Sequence, residues 1–226
     1  EESINFDPEE EIAFIKKHKE SIIAIGEVGI DQKSEHQTKK QFAIFEKIIE
    51  LSKEIDKPLI IHSRKAEAEV IELLEKHNAK KVIMHCFSGK KILWQKIKDN
   101  KWYCSIPTNC TRSDHFQELI KFMSITQLFG ETDSPFLAPV KDAKNEPANV
   151  VETYKMIARL KKLELKEVEN AISLMPLKIH MTVVRPKDFI SMAKSKEMTV
   201  VSEAIKRNVI MIGIEEYYRL LQHARG

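Results

Sequence analysis

The sequence lacks the features that would assign the chain to several large classes of protein. Its 226 residues contain no uninterrupted apolar run of about 18, the length that a membrane-spanning helix needs. The first residues do not show the basic and apolar pattern of a secretory signal. The formal net charge of +3 is too small to indicate a nucleic-acid partner by itself. We therefore predict a globular protein without a membrane span, in keeping with 42% hydrophobic and 31% charged residues.

Cysteine is scarce, and its spacing does not suggest disulfide pairs. The chain has three cysteines, Cys86, Cys104 and Cys110. An odd number without a paired spacing argues against a disulfide framework and fits a reducing compartment, so we predict a cytoplasmic protein. We interpret Cys86 and Cys104 as small buried side chains rather than as thiolate metal ligands.

The apolar residues that are present alternate between two patterns. Short, continuously apolar runs predict strands at 22–25, 59–61, 82–84, 102–106 and 125–129. Helical spacing predicts helices at 8–19, 38–55, 66–77, 90–98, 113–123, 149–163 and 166–174. Five strands, each followed by a helix and without polar alternation, are typical of a parallel sheet that is covered on both faces.

Four of the predicted strands lead into a side chain that binds metals in other proteins. These side chains are Glu27, His62, His85 and Asp133. The carboxyl ends of parallel strands meet at one edge of a sheet, where α/β proteins place their sites. A histidine at one strand end is usually a hydrogen-bonded structural residue, and Asp133 before a proline turn is compatible with simple backbone capping. Four such positions in succession favour a metal site.

The motifs around these residues resemble the TatD-type metal-dependent deoxyribonucleases, within the wider superfamily of metal-dependent hydrolases. The resemblance covers about residues 1–178 and rests on five motifs in family order: Ile-Gly-Glu-Val-Gly-Ile-Asp at 25–31, Ile-His-Ser-Arg at 61–64, His-Cys-Phe-Ser-Gly at 85–89, Glu-Thr-Asp-Ser-Pro-Phe-Leu-Ala-Pro at 131–139 and Asn-Glu-Pro at 145–147. It implies an α/β fold of the TIM-type (β/α) barrel class.

The resemblance also implies roles for individual residues. Glu27 would bind or bridge divalent metals, His62 and His85 would ligate one of them, and Asp133 would bind metal and orient or deprotonate the attacking water. Four further residues would support the ligands or contact the substrate: Arg64, Glu131, Asn145 and Glu146. Imidazole and carboxylate ligands suit Zn²⁺, Mn²⁺ or Mg²⁺, with up to two ions in a site, and the histidines favour a metal other than Mg²⁺ alone.

The implied function is metal-dependent hydrolysis of phosphodiester bonds, as a 3′–5′ exonuclease on the ends of single-stranded DNA or RNA. Phe87, Phe136 and Trp102 are candidates for stacking on a terminal base, with core packing favoured for at least two of them. Two alternatives remain open. One is a catalytically silent nucleic-acid-binding or scaffold protein with an incomplete metal centre. The other is a hydrolase of the same superfamily that acts on a cyclic amide or ester.

The chain departs from the family pattern at both ends. The family opens with a strand that ends in His-x-His, and no two of the eight histidines here are two residues apart. By the family pattern the chain begins just after the third barrel strand, so we expect about three strands and two ligands upstream of Glu1. Residues 181–226 do not match the family, and we predict that they form a small α/β appendage of unknown role.

Overall fold

The structure is a computed structural model that describes residues 7–33 and 38–173. Its elements alternate along the chain as the apolar pattern predicts: α1 (Pro8–Lys17), β1 (Ile25–Gly29), α2 (Thr38–Glu54), β2 (Leu59–His62), α3 (Glu67–Lys76), β3 (Val82–Met84), α4 (Lys91–Asp99), β4 (Tyr103–Ile106), α5 (Asp114–Phe122), β5 (Leu128–Gly130), α6 (Val150–Lys161) and α7 (Leu165–Ser173). Short 3-10 helices lie at Thr108–Thr111, Ile125–Gln127 and Pro147–Asn149. The predicted appendage, 181–226, lies outside the described residues.

The five strands form one parallel sheet in the order β1-β2-β3-β4-β5. Each strand pairs with the next one along the chain, for example through Leu59 with Val82 and Ile106 with Gly130. All the carboxyl ends therefore lie at the same edge, and the segments that follow them are brought together. The prediction of a parallel α/β sheet is confirmed for this part of the chain.

The core lies on both faces of the sheet. Every residue of β3 is buried, and Ile61 and Ile83 in the central strands are fully inaccessible to solvent. Phe45 and Ile49 of α2 are also buried. Continuous burial explains why these strands read as apolar runs rather than as an alternation of apolar and polar residues.

Two strands differ from their predicted bounds by more than one residue. β1 begins at Ile25, whose N–H donates to the Pro58 carbonyl at 2.8 Å, so Glu27 lies inside the strand rather than after it. Residues 125–127, predicted as strand, form a 3-10 helix because the Ser124 hydroxyl accepts a hydrogen bond from the Thr126 N–H. Both differences come from hydrogen bonds that residue type alone does not specify.

All three cysteines are free, which confirms the prediction of no disulfides. Cys104 and Cys110 are buried, and burial raises the pKa of each thiol. Cys86 lies beyond the end of β3 with a φ of 42°, in a turn rather than in the strand, and burial also raises the pKa of its thiol. Among the helices that the structure describes, none is both long and apolar enough to cross a bilayer.

Candidate metal centre

The four predicted ligands come together at the carboxyl edge of the sheet. Glu27 lies in β1, and His62 is the last residue of β2. His85 follows β3 and is held in register by its N–H, which donates to the Ile61 carbonyl at 2.9 Å. Asp133 follows β5 in a left-handed conformation with a φ of 57°. Parallel topology thus converts four distant sequence positions into one cluster.

The side chains of this cluster face each other through specific atoms. Glu27 Oε1 lies 2.6 Å from His62 Nδ1 and 3.4 Å from His85 Nε2. His85 Nε2 also lies 3.6 Å from Asp133 Oδ1. One nitrogen of each imidazole is therefore directed at the carboxylates of the cluster. We call these four residues the inner cluster.

The other nitrogen of each histidine is held by a further carboxylate. His62 Nε2 lies 3.2 Å from Asp31 Oδ2, and His85 Nδ1 bonds to Glu131 Oε2. The second oxygen of Glu131, Oε1, accepts a hydrogen bond from the Cys86 N–H at 2.9 Å. Carboxylates behind metal-binding histidines fix the ring orientation and increase the basicity of the nitrogen that faces the metal.

The charges of the inner cluster are strongly coupled. Burial by itself lowers the pKa of His85, but the charge of Glu131 and hydrogen bonds to Asp133 and Glu131 outweigh it and raise that pKa to about 11. A hydrogen bond to Glu27 raises the pKa of His62. Burial opposes ionisation of Glu27, yet the hydrogen bond to His62 and the charge of His85 hold its pKa below the usual range. The hydrogen bond to His85 lowers the pKa of Asp133. A cation that bound these imidazoles would replace the proton on each ligating nitrogen.

Two separations within the inner cluster match the spacing of ligands around one metal ion. Two ligands about 2.1 Å from a tetrahedral ion lie about 3.4 Å apart. The separations of His85 Nε2 from Glu27 and Asp133, 3.4 and 3.6 Å, already match this value. The 2.6 Å contact of His62 with Glu27 is a direct hydrogen bond and would have to lengthen. As the side chains stand, no group of three within 7–33 and 38–173 is arranged to hold an ion.

Gly29, the last residue of β1, lies where this strand comes closest to β2, and its position requires glycine. Gly29 has a φ of 142°, a conformation that other residues rarely adopt. A Cβ atom on Gly29 would lie 1.9 Å from the His62 carbonyl oxygen. The absence of a side chain therefore allows β1 to approach the strand end that carries His62.

The remaining predicted residues have different positions. Arg64 is about half exposed, and its Nη2 lies 3.3 Å from Asp31 Oδ2. Glu146 is exposed beside Pro147–Asn149, and in the described part of the chain no hydrogen bond or ion pair joins its side chain to the inner cluster. Asn145 is buried, and its side-chain amide donates to protein oxygens of Thr108, Thr132 and Phe136. Asn145 thus holds the loop that follows β5.

Asp31 is the residue that the sequence reasoning did not assign to the site. Its carboxylate contacts both His62 and Arg64, and its pKa lies below the usual range: burial opposes this shift, but the Lys33 N–H and the Arg64 charge outweigh it. A signal was present, since Asp31 closes the same motif that contains Glu27. Only the loop conformation, fixed by a 2.8 Å bond from the Asp31 N–H to Gln41, shows that it reaches the histidine.

Solved structures show the class of fold. A TatD homologue of Escherichia coli aligns with a TM-score of 0.70 at 20% identity, covering 77% of this chain and 69% of that one. A hydrolase of the TatD family from Entamoeba histolytica aligns with a TM-score of 0.68 at 19% identity, covering 79% and 69%. The described sheet is therefore part of the α/β barrel fold of these hydrolases, as predicted.

Sequence comparison identifies the family. Residues 2–180 match the family described as TatD related DNase, and the chain belongs to that family. An uncharacterized metal-dependent hydrolase of Methanocaldococcus jannaschii is 36% identical over 158 residues, 70% of this chain and 62% of that protein. The human deoxyribonuclease TATDN3 is 33% identical over 180 residues, 75% of this chain and 66% of that protein. The chain thus spans somewhat less than two thirds of the length of these relatives.

Proposed function

We propose that this chain carries the active site of a divalent-metal-dependent phosphodiesterase that removes nucleotides from the 3′ end of single-stranded DNA. The observation that supports this most is the convergence of one imidazole nitrogen from each of His62 and His85 on the carboxylates of Glu27 and Asp133. The human relative is named a deoxyribonuclease, and the archaeal one a metal-dependent hydrolase.

The inner cluster would hold the metal, with Glu27 positioned between the two histidines. A bound divalent cation lowers the pKa of water and neutralises charge on a phosphodiester. Imidazole and carboxylate donors together suit Zn²⁺ or Mn²⁺ better than Mg²⁺ alone. Asp31 and Glu131 would keep His62 and His85 in the orientation that ligation needs.

Asp133 is the proposed general base. Its carboxylate is ionised at neutral pH, as a base must be, and the hydrogen bond to His85 lowers its pKa. Water would attack the phosphorus of the terminal phosphodiester and pass a proton to Asp133. The bond from phosphorus to the 3′ oxygen of the preceding nucleotide would break, and that oxygen would take up a proton and leave as a hydroxyl.

Arg64 is the proposed phosphate contact. Its guanidinium is about half exposed, and Asp31 occupies only part of its donor fork. A phosphate oxygen at the strand edge would meet the remaining donors. Asn145 would act on the substrate indirectly, by holding the loop after β5, whereas the exposed Glu146 is free to contact the strand beyond that loop.

The test compares two aspartates of the same loop. Asp133→Asn removes the proposed base, and Asp142→Asn makes the same change at an exposed residue that also has a positive φ. Each variant is assayed with Mn²⁺, Zn²⁺ or Mg²⁺ on a small chromogenic phosphodiester and on single-stranded DNA labelled at either end. We expect the unmodified chain to hydrolyse both substrates only when metal is present. Asp133→Asn should lower the rate at least about 100-fold, the low end for loss of a general base. Asp142→Asn should leave the rate unchanged.

The labelled strands also test the direction of digestion. With a 5′ label, removal from the 3′ end gives a ladder of shortening products, whereas removal from the 5′ end releases the label at once. Hydrolysis that survives chelation, or that Asp133→Asn leaves intact, would contradict the proposal. Binding of DNA without hydrolysis under every metal would favour the silent nucleic-acid-binding alternative.

A further inference from the structure

Three aromatic side chains were candidates for stacking on a base, and the structure separates them. Phe87 and Trp102 are fully buried, and Trp102 Nε1 donates to the Ala79 carbonyl at 3.0 Å. Phe136 is 70% exposed. The prediction that at least two of the three pack in the core is confirmed. The ring of Phe136 lies outside the core and is open to contact with a ligand.

Phe136 lies one turn from the proposed base. Its N–H donates to the Asp133 carbonyl at 2.9 Å, three residues earlier. The Cα atoms at the two ends of such a turn lie within about 7 Å of each other. Phe136 therefore carries an exposed aromatic ring on a Cα atom that lies within about 7 Å of the Asp133 Cα atom.

The backbone that carries this ring is firmly held. Five consecutive carbonyls, those of residues 135–139, each accept a hydrogen bond from another part of the chain. The donors, in order, are Asn145 N–H at 3.1 Å, Asn145 Nδ2 at 2.6 Å, Thr108 Oγ1 at 2.7 Å, Arg112 Nε at 3.3 Å and Thr111 Oγ1 at 2.7 Å. We call residues 135–139 the clamped loop. Because its backbone is already ordered, a ligand that contacts Phe136 would immobilise little more than two side-chain torsions.

Positive charge follows the clamped loop. Lys141 and Lys144 are both exposed, and among the described residues neither forms an ion pair. Proteins that bind single strands combine aromatic rings for the bases with positive charge for the backbone. An exposed ring that is followed by two exposed lysines in the same loop, with Asp142 between them, is compatible with this chemistry.

We infer that Phe136 is the stacking platform for the terminal base of a single strand whose last phosphodiester lies at Asp133. This inference rests on the proposed function and adds to it the part of the substrate that the chain recognises. Stacking accepts any base, because every base has a π face. The platform therefore predicts digestion without strong sequence preference, provided that the terminal nucleotide carries a base.

The experiment removes the ring and the base separately. Phe136→Ala, Phe136→Trp and the unmodified chain are titrated with 5′-labelled strands that end either in a normal nucleotide or in an abasic one, with EDTA present so that no strand is cut. Binding is followed by fluorescence anisotropy. Ile92→Ala, in which an exposed apolar residue is removed from α4, is the matched control.

We expect Phe136→Ala to raise the Kd for the base-bearing strand about 5- to 140-fold, the range for losing one base–aromatic stack. Phe136→Trp should restore binding, and Ile92→Ala should not change it. The loss caused by Phe136→Ala and the loss caused by removing the base should not add, because both remove the same contact.

Two results would overturn the inference alone: an unchanged Kd in Phe136→Ala, or an equal loss on base-bearing and abasic strands. The chromogenic phosphodiester, which has no terminal nucleotide, reports on the proposed function separately in the unmodified chain. Hydrolysis of that compound together with either result would leave the proposed function standing. If the unmodified chain cuts no phosphodiester, the proposed function fails and the inference fails with it.

Discussion

The candidate centre contains two histidine–carboxylate pairs that share a chemistry and differ in burial. His62 and Asp31 lie on the side of β1 and β2, where their side chains are 25% and 33% exposed. His85 and Glu131 lie on the side of β3 and β5, where the values are 16% and 14%. Glu131 also accepts a backbone hydrogen bond from Cys86. The comparison indicates that His85 belongs to the less exposed pair and His62 to the pair that water reaches more easily.

The largest expected difference is between His85→Ala and His62→Ala. Each should weaken metal binding by more than about 100-fold, beyond what loss of a supporting partner causes. The free energy of unfolding, measured in urea with EDTA present, should distinguish the two variants. His85→Ala leaves the Glu131 carboxylate buried without its partner and should lower the free energy of unfolding by about 3 kcal/mol. His62→Ala leaves carboxylates that water can solvate and should lower it by about 1 kcal/mol or less.

His77 offers a matched control for both variants. It directly follows α3 and lies between two carboxylates of α2, with Nδ1 2.7 Å from Glu50 and Nε2 3.4 Å from Glu46. His77→Ala should leave metal affinity unchanged. Equal losses of stability in His62→Ala and His85→Ala would show that the difference in burial between the two pairs has no energetic effect.

The second comparison changes the carboxylates and keeps the histidines. Glu131→Gln and Asp31→Asn should each reduce Mn²⁺ affinity by between about 10- and 100-fold, the range for partners behind metal-binding histidines. We expect the larger loss of affinity in Glu131→Gln, because the His85–Glu131 pair is less exposed and is therefore screened less by solvent. Titration calorimetry measures both, with Glu46→Gln beside His77 as the control. A larger loss of affinity in Asp31→Asn would contradict the expectation that the less exposed pair contributes more to metal binding.

The smallest expected effect is on the thiol of Cys86. Burial raises its pKa most, and the charge of Glu131 raises it further. Glu131→Gln removes that charge and should lower the pKa of the thiol, so labelling of Cys86 by iodoacetamide should become faster by less than about tenfold, one unit of pKa. Asp31→Asn should leave the rate unchanged. Peptide mass spectrometry measures the labelling rate. Equal acceleration in both variants would indicate that either substitution makes Cys86 more accessible, whatever the charge beside it.

The sequence predicts the position of the inner cluster well because parallel topology determines it. Once Glu27, His62, His85 and Asp133 lie at or near the carboxyl ends of four parallel strands, their meeting at one edge follows from the topology of the sheet. The supporting residues are harder to predict, since they depend on loop conformation. Asp31 reaches His62 only because Gln41, ten residues later, fixes its backbone from both sides.

The burial of individual polar and aromatic residues could not be predicted from the sequence either. The Asn145 amide is buried and bonds to Thr108, 37 residues earlier, a contact that no local pattern signals. The difference between the exposed Phe136 and the buried Phe87 likewise depends on which loop each residue occupies. Residue type gives a candidate in such cases, and tertiary contacts decide between a structural and a substrate-binding role.

The clamped loop has a consequence for how this site can be altered. Its anchors use only main-chain carbonyl oxygens of residues 135–139, which any amino acid possesses. The donors, above all Asn145 and Thr108, cannot vary freely, but the exposed side chain of Phe136 can. A library at Phe136 should therefore retain folded protein in most members, and the proposed stacking role can be varied there without rebuilding the scaffold.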